Sequence, residues 1–350
     1  MSKIKVLVVD DSAFMRRIIR QMIESDPELE VVGMARDGRE GVDMTLTLEP
    51  DVVTMDIEMP RMDGLEATAV IMDKFPTPII IISSLSVEGA KATFDALDKG
   101  AIDYIGKNLV DSALDVIKIQ NELISKIRGI ARKKSRLIAM RGVKRPLAAT
   151  PHYIKTSFAT QKIGMVAIGA STGGPRAVQE ILSHLPKELT TPFVVSVHMP
   201  KAFTGAFAER LNSLCVLNVK EAEDGEGLKQ GWVLVSPGGV QTRIRKRGIT
   251  DFYVELSDNP HDAIYKPCID ITIASVADAF PGRSMGVILT GMGHDGLEGM
   301  RQIKAKGGKT IAQNEESCTV YGMPKAVVDA GLADKIAPIE AIAGEIVNMI

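Results

Sequence analysis

The stretch MVAIGASTGGP, residues 165–175, reads as an apolar strand, a glycine-rich turn carrying one serine, and a proline suited to the first turn of a helix. A strand that leads directly into a helix predicts an α/β fold with Ser171 at the carboxyl edge of the strand. The N–H groups at a helix start favour negative charge, which suits an acyl-transfer nucleophile. The turn also fits the G-x-S-x-G pattern, although glycine-rich turns after strands can equally hold phosphate or be purely structural.

The pattern around this turn extends the α/β alternation to the end of the chain. Short apolar segments predict strands at residues 165–168, 193–198, 216–221, 232–236, 285–290 and 310–313, and helices follow Pro175, Phe203, Gly296 and Pro324. Residues 243–246 and 252–256 have the pattern of an antiparallel hairpin, which we expect to be inserted in the same sheet. The sequence thus predicts a doubly wound, mostly parallel α/β domain over residues 161–350.

A separate α/β alternation precedes it. Residues 4–9, 31–35, 52–56, 79–83 and 101–105 are strand-like and are separated by amphipathic segments. This pattern predicts a five-stranded, doubly wound parallel sheet over residues 1–123. A chain of 350 residues is long enough for two such domains.

Composition limits the classes of partner and compartment. The formal net charge is −2, so no global basic field argues for nucleic-acid binding. The three cysteines lack metal-ligand spacing and are too few for a disulfide framework, which favours a reducing, cytoplasmic location. The apolar runs are strand-length and no signal peptide is evident, so we expect no membrane insertion.

A basic join lies between the two alternations. No carboxylate occurs between residues 123 and 179, whereas lysines and arginines are concentrated in the first half of this stretch. Helical spacing continues to about residue 130, and residues 146–160 read as an irregular connection. We therefore predict a linker over residues 124–160. Its charge is more consistent with a solvated face or an acidic partner surface than with nucleic acid, because no helix-turn-helix accompanies it.

Charged side chains mark the carboxyl ends of the strands in the first domain. Asp10 and Asp11 end the first strand, Asp56 ends the third, Ser83 ends the fourth and Lys107 follows the fifth. Ligands of open parallel sheets bind at this edge. Three converging carboxylates repel one another unless a hard divalent cation joins them, so the pattern predicts a Mg²⁺ pocket in which one carboxylate could attack a phosphoryl group.

With these residues the first domain resembles a response-regulator receiver, a flavodoxin-like fold. The resemblance implies that Asp56 is phosphorylated from a histidine kinase. It implies a Mg²⁺ site formed by Asp10, Asp11, Asp56 and the backbone carbonyl of Glu58. It further implies that three residues respond to the phosphoryl group: Ser83, Tyr104 and Lys107.

The second domain offers two possible bases for Ser171. His198 ends a strongly apolar strand, and His294 lies in a glycine-rich loop at the end of another. A serine nucleophile needs a base within hydrogen-bond reach and an acid that orients the base. His198 would pair with Asp295, and the members would then all lie at strand ends.

The alternative triad would use His294 with an earlier acid, Asp262 or Asp270, in the chain order of α/β-hydrolases. Triads are defined by geometry rather than by chain order, so we favour Ser171, His198 and Asp295.

Four segments of the second domain resemble the CheB family of chemotaxis protein-glutamate methylesterases: GASTGGP at 169–175, VVSVHMP at 194–200, SPGG at 236–239 and LTGMGHDG at 289–296. The resemblance places the catalytic residues at Ser171, His198 and Asp295. It assigns the oxyanion hole to the backbone N–H of Met292, and we add that of Thr172.

The family resemblance also implies the substrate and its control. The substrate would be a glutamate methyl ester on a methyl-accepting chemoreceptor, with glutamine deamidation by the same chemistry and no cofactor for hydrolysis. Phosphorylation of the receiver would uncover the catalytic edge and so give adaptation in chemotaxis. The alternative is a non-enzymatic response regulator whose second domain only binds a partner.

Overall fold

The computed structural model describes residues 3–107, 113–131, 162–248, 250–261 and 263–350. These residues form two compact units, each with its own sheet. Residues 132–161, which include most of the linker predicted at 124–160, lie outside the described residues, as does Asp262. Among the helices that are described, none combines the length and the apolar character needed to cross a bilayer.

The first unit is a five-stranded parallel sheet in the order β2-β1-β3-β4-β5. Its elements in chain order are β1 (Ile4–Val9), α1 (Ala13–Glu24), β2 (Leu29–Ala35), α2 (Gly38–Leu48), β3 (Val52–Asp56), α3 (Gly64–Lys74), β4 (Ile79–Ser83), α4 (Val87–Asp98), β5 (Asp103–Gly106) and α5 (Ala113–Ala131). Polar caps begin the helices: the Ser12 hydroxyl accepts from Met15 N–H, and the Asp63 carboxylate accepts from Glu66 N–H. The predicted five-stranded parallel sheet is confirmed.

The register of this sheet brings the predicted polar residues together. Val9 lies opposite Met55, so the next residues, Asp10 and Asp56, are neighbours at the carboxyl edge. The strand order reverses between β1 and β3, and a crevice that suits ligands forms at such a point. The sheet and helices bury an aliphatic core that includes Val8, Ile23 and Ile80.

The second unit is a seven-stranded parallel sheet in the order β14-β13-β12-β6-β7-β9-β8. Its strands are β6 (Met165–Ala170), β7 (Phe193–Val197), β8 (Asn218–Glu221), β9 (Trp232–Val235), β12 (Ser284–Ile288), β13 (Lys309–Gln313) and β14 (Lys335–Ala337). Its helices are α6 (Gly174–Ser183), α7 (Lys201–Leu214), α8 (Ile269–Ala279), α9 (Leu297–Ala305), α10 (Met323–Asp329) and α11 (Ile339–Met349). The sequence analysis missed α8, α11 and β14.

The hairpin exists, but its predicted place was wrong. β10 (Gln241–Arg247) and β11 (Asp251–Ser257) pair with each other as a two-stranded antiparallel sheet and with none of the seven strands of the main sheet. The segment at residues 225–228 also forms backbone hydrogen bonds with β11. The inward residues Ile244 and Val254 belong to the same buried cluster as Val276 of α8, and Ile244 N–H donates to the Ser275 hydroxyl at 2.9 Å. Packing against α8 and backbone hydrogen bonds to residues 225–228 therefore hold the hairpin outside the main sheet.

Two glycines make the turn at the centre of this sheet possible. Gly173 has φ +73°, and a Cβ there would lie 2.3 Å from the Thr319 hydroxyl oxygen. Gly291 follows β12, and a Cβ there would lie 2.2 Å from the Met323 sulfur and 2.9 Å from the Ser171 Cβ. The loops that follow β6 and β12 therefore pack closely enough to share one site.

Candidate functional site

Ser171 begins the turn between β6 and α6, where the strand order of the second sheet reverses. Its N–H donates to the Thr290 carbonyl at 3.0 Å, and its carbonyl accepts from Gly174 N–H at 2.6 Å. These bonds fix the serine backbone to the loop after β12. The Ser171 hydroxyl oxygen lies 3.1 Å from His198 Nδ1, within hydrogen-bond distance.

His198 follows β7 directly. Ala170 lies opposite Val197 in the sheet, so Ser171 and His198 come next to each other at its edge. The imidazole is 10% exposed, and its Nε2 lies 2.7 Å from Asp295 Oδ2. An ionised carboxylate only accepts hydrogen bonds, so Nε2 carries the proton and Nδ1 is left to accept the proton of the Ser171 hydroxyl.

Asp295 receives three donors besides the imidazole. Ile269 N–H donates to Oδ2 at 2.8 Å, Asp270 N–H donates to Oδ1 at 2.9 Å, and the Cys268 thiol donates to Oδ1 at 3.3 Å. Burial alone would raise the pKa of the Asp295 carboxyl, but the hydrogen bonds from His198 and from the two backbone N–H groups outweigh it and lower this pKa below 3.8. The carboxylate is therefore ionised at neutral pH.

Asp270 and Asp295 join α8 and α9 by exchanging caps. Asp295 precedes α9 and accepts from the first N–H groups of α8, whereas Asp270, in the first turn of α8, accepts from Gly299 N–H of α9 at 2.7 Å. Burial raises the pKa of Asp270, and the charge of Asp295 adds to this rise. The helix pair and the orientation of the acid thus depend on the same bonds.

The residues of the alternative triad are placed differently. Asp270 bonds to Gly299 N–H, and Asp262 lies outside the described residues. His294 is exposed, and in the described part of the chain its ring forms no hydrogen bond with Ser171 or Asp270. The geometry brings together Ser171, His198 and Asp295.

Thr172 and Met292 flank the serine. Among the described residues, the backbone N–H groups of Thr172 and Met292 donate to no other protein group. Thr290 holds the two loops together: its hydroxyl donates to the Thr172 carbonyl at 2.9 Å and accepts from Val320 N–H at 2.9 Å. Buried Gln313 in turn accepts from Thr290 N–H at 2.8 Å.

The sequence analysis missed four supporting residues: Tyr265, Cys268, Gln241 and Thr290. Tyr265 stacks on His198, and buried Gln241 bonds to the backbone of Tyr265 and Cys268. Thr290 lies within the LTGMGHDG segment, and the signal for the segment that contains Tyr265 and Cys268 was Asp270, an acidic residue in the first turn of α8. Nothing local connects that segment with a histidine about seventy residues earlier.

The first unit gathers the predicted acidic residues. One carboxylate oxygen from each of Asp10, Asp11 and Asp56 lies within 4.8 Å of the others. Lys107 Nζ lies 3.0 Å from Asp10 Oδ2 and 2.6 Å from Asp56 Oδ2. Burial raises the pKa of Asp56 to about 6, against the opposing effect of the Lys107 ammonium. Three clustered carboxylates with one ammonium keep excess negative charge, and their oxygens fit Mg²⁺.

The other three residues that the receiver resemblance implied lie on β4, on β5 and in the loop after β3. Ser83 ends β4, is buried, and donates to the Gly89 carbonyl at 3.2 Å. Tyr104 of β5 is buried edge-on against Phe94, with ring centroids 6.5 Å apart. Glu58 lies in the loop two residues after Asp56 and exposes its side chain.

Comparison with known proteins covers both units. A family model described as CheB methylesterase matches residues 166–346, and one described as response regulator receiver domain matches residues 6–117. The chain is 47% identical to protein-glutamate methylesterase/protein-glutamine glutaminase 1 of Geobacter sulfurreducens, over 99% of this chain and 98% of that protein. It is 43% identical to the corresponding protein 1 of Pseudomonas aeruginosa, over 99% of each.

A solved structure is also similar. The catalytic domain of the Thermotoga maritima CheB methylesterase matches with a TM-score of 0.52 and 38% identity, covering 54% of this chain and all of that domain (100%). This match includes the unit that holds Ser171, His198 and Asp295. The chain therefore belongs to the CheB methylesterase family and carries a response regulator receiver domain ahead of the methylesterase domain.

Proposed function

We propose that this protein hydrolyses glutamate methyl esters on methyl-accepting chemoreceptors, and deamidates glutamines, by a Ser-His-Asp mechanism. One observation carries the proposal: a continuous hydrogen-bond chain runs from the Ser171 hydroxyl through His198 to Asp295, with separations of 3.1 and 2.7 Å. The names of the relatives support the substrate, because those proteins are protein-glutamate methylesterases and protein-glutamine glutaminases.

The first half-reaction forms an acyl-enzyme. His198 Nδ1 takes the proton of Ser171, whose oxygen attacks the ester carbonyl carbon. The backbone N–H groups of Thr172 and Met292 bind the oxyanion of the tetrahedral intermediate, close to the start of α6. As the intermediate collapses, the imidazolium returns the proton to the leaving oxygen, and methanol departs.

The second half-reaction repeats these steps with water. His198 takes a proton from water, the resulting hydroxide attacks the acyl carbon, and the proton then returns to the Ser171 oxygen. The product is a glutamate carboxylate and free enzyme. With glutamine as substrate the leaving group is ammonia, and no additional residue is required. Asp295 holds His198 in one tautomer during both halves.

The direct test is release of methanol from a methylated receptor fragment, and of ammonia from the same fragment with glutamine at the modified positions. The full-length protein should release both. A protein that binds the fragment tightly but releases neither would contradict the proposal and would favour the alternative, a second domain that only binds a partner.

Replacing Asp295 with asparagine should lower kcat by about 10⁴-fold, because the amide has a single accepting oxygen. That oxygen can face either His198 and Ile269 N–H or Asp270 N–H, and the amide NH₂ then opposes the remaining donors. Thermal unfolding should also occur at a lower temperature, because the first turn of α8 loses an acceptor, worth about 1 kcal/mol. Methanol release and calorimetry measure the two effects. Glu298→Gln, an exposed change in the first turn of α9, is the control. A fully active Asp295→Asn variant would contradict the assignment.

We further propose that Asp56 is phosphorylated from a histidine kinase and that this raises the rate of hydrolysis. Asp10, Asp11 and Asp56, with the backbone carbonyl of Glu58, would hold Mg²⁺, which supplies positive charge against the phosphoryl oxygens. Lys107 already contacts Asp56, so its ammonium is placed to pair with a phosphoryl group there. Ser83 and Tyr104 would rearrange in response.

The variant Asp56→Asn should lose this response. With Mg²⁺ and a small phosphodonor such as acetyl phosphate, the ratio of rates with and without donor should fall to about one, because an amide cannot accept the phosphoryl group. Methanol release from full-length protein measures the ratio. Asp73→Asn, an exposed carboxylate on α3, should keep the stimulation of the unmodified protein. Equal stimulation in Asp56→Asn would place the acceptor elsewhere.

A further inference from the structure

The imidazole of His198 has an aromatic ring lying flat on one of its faces. The Tyr265 ring is 3.9 Å from it, centroid to centroid, and the two planes are 10° from parallel. Tyr265 comes from the segment that connects the hairpin to α8, 67 positions along the chain from His198. The imidazole is 10% exposed, whereas Tyr265 is 42% exposed, so the tyrosine lies on the solvent side of the site.

We propose that Tyr265 is a positioning residue of the hydrolytic centre, which fixes the plane of the His198 ring. The inference rests on the proposed function, because it assumes that His198 is the base. It adds to the site a residue that contacts His198 through the face of its ring.

The two hydrogen bonds of the imidazole leave one motion poorly restrained. They hold Nδ1 towards Ser171 and Nε2 towards Asp295, at opposite sides of the ring. Tilting of the ring plane about the line that joins these two contacts changes their lengths little, so the two hydrogen bonds alone do not fix that plane. A flat neighbour at 3.9 Å opposes this tilt directly, because the rings would collide.

The tyrosine itself is firmly held. Buried Gln241 donates to the Tyr265 carbonyl at 2.9 Å and accepts from Cys268 N–H at 2.8 Å. One side chain thus holds the backbone at both ends of residues 265–268. Gly239 N–H donates to the Lys266 carbonyl at 2.9 Å between these points. The segment is therefore tied to the start of the hairpin at three places.

The same segment also delivers the donors to Asp295. Cys268, Ile269 and Asp270 supply a thiol and two backbone N–H groups to its carboxylate. One continuous stretch, residues 265–270, thus sets the ring plane of His198 through Tyr265 and the position of the acid through its last three residues. When His198 takes the proton from Ser171, the imidazolium also lies over the face of an aromatic ring, which attracts cations.

The test compares Tyr265→Leu, which removes the aromatic face, with Tyr265→Phe, which keeps it. In the full-length protein, Tyr265→Leu should lower kcat about tenfold with KM changed less than about twofold, and Tyr265→Phe should restore kcat to within about twofold. Equal losses in both variants would assign the effect to the hydroxyl group, and a change confined to KM would assign Tyr265 to substrate contact. Either result would overturn the proposal.

A second measurement separates this proposal from the choice of substrate. The rate of covalent labelling of Ser171 by a fluorophosphonate reports the activation of the serine by its base, without any receptor. Labelling should slow about tenfold in Tyr265→Leu and remain near the unmodified rate in Tyr265→Phe. If the unmodified protein is labelled but releases no methanol, the proposed substrate is wrong. The labelling rates of Tyr265→Leu and Tyr265→Phe still test the role of Tyr265 in that case.

The control is Ile264→Ala, a neighbouring and 89% exposed side chain. Labelling in this variant should match the unmodified protein. An equal slowing in Ile264→Ala and Tyr265→Leu would show that disturbing the segment, rather than losing the ring, causes the effect, and would overturn the proposal. Absence of labelling in the unmodified protein would overturn both the proposed nucleophile and the role of Tyr265.

Discussion

Ser171→Ala should reduce methanol release from a methylated receptor fragment by about 10⁵- to 10⁶-fold, which leaves only the contribution of binding and the oxyanion site. The substitution removes a single oxygen atom, and the Cβ and backbone contacts of the turn persist. No neighbouring residue can replace the nucleophile, because His198 Nδ1 points at this hydroxyl and Asp295 is engaged on the far side of the ring.

Binding and folding should survive the same change. The variant should bind the receptor fragment with unchanged affinity and unfold at the temperature of the unmodified protein, measured by titration and calorimetry. Ser183→Ala, an exposed serine at the end of α6, is the matched control and should hydrolyse normally. Residual activity above about one per cent in Ser171→Ala would show that water, rather than an acyl-enzyme, carries the reaction.

His198→Gln should lower kcat to a similar extent, by about 10⁵-fold, because glutamine can occupy the space but cannot take the serine proton at neutral pH. The loss should appear both in methanol release and in fluorophosphonate labelling of Ser171, because both depend on the activated serine.

His294→Gln provides the comparison, because His294 lies in the loop after β12, next to Asp295. The His294 side chain is exposed, so its replacement should change kcat less than about threefold. A larger loss at His294 than at His198 would restore the alternative triad. Equal and severe losses at both positions, with lowered unfolding temperatures, would indicate structural damage rather than a catalytic role.

The fold was predictable where local patterns determine it. Aliphatic runs such as Ile79–Ser83 are buried along their whole length, which identifies parallel strands covered on both faces. The carboxyl ends of such strands lie at one edge of the sheet, so Asp10 and Asp56 could be grouped before their separation was known. Ser171 and His198 follow neighbouring strands, and the same argument brought them together.

The missed features depend on contacts between distant segments. The hairpin has a recognisable alternation, but it is held outside the main sheet by contacts with α8 and with residues 225–228, which the alternation does not predict. Asp295 was predicted as the acid of the triad. Its hydrogen bonds to the first N–H groups of α8 were not predicted, because those groups lie about twenty-five positions earlier in the chain. The Tyr265 stack likewise has no local signature, because an aromatic residue in a loop has the same pattern whether or not a histidine lies beneath it.

The exchanged caps between α8 and α9 have a consequence for how this protein tolerates change. Asp295 accepts from His198 and from the first N–H groups of α8 with one pair of oxygen atoms, and Asp270 completes the arrangement by accepting from Gly299 N–H of α9. We therefore expect a substitution at Asp270, although it does not contact the serine, to lower the rate of hydrolysis at temperatures where the protein is still folded. Substitutions chosen to raise the unfolding temperature in this region would have to keep both carboxylates, because the same hydrogen bonds support the helix pair and the proposed hydrolysis.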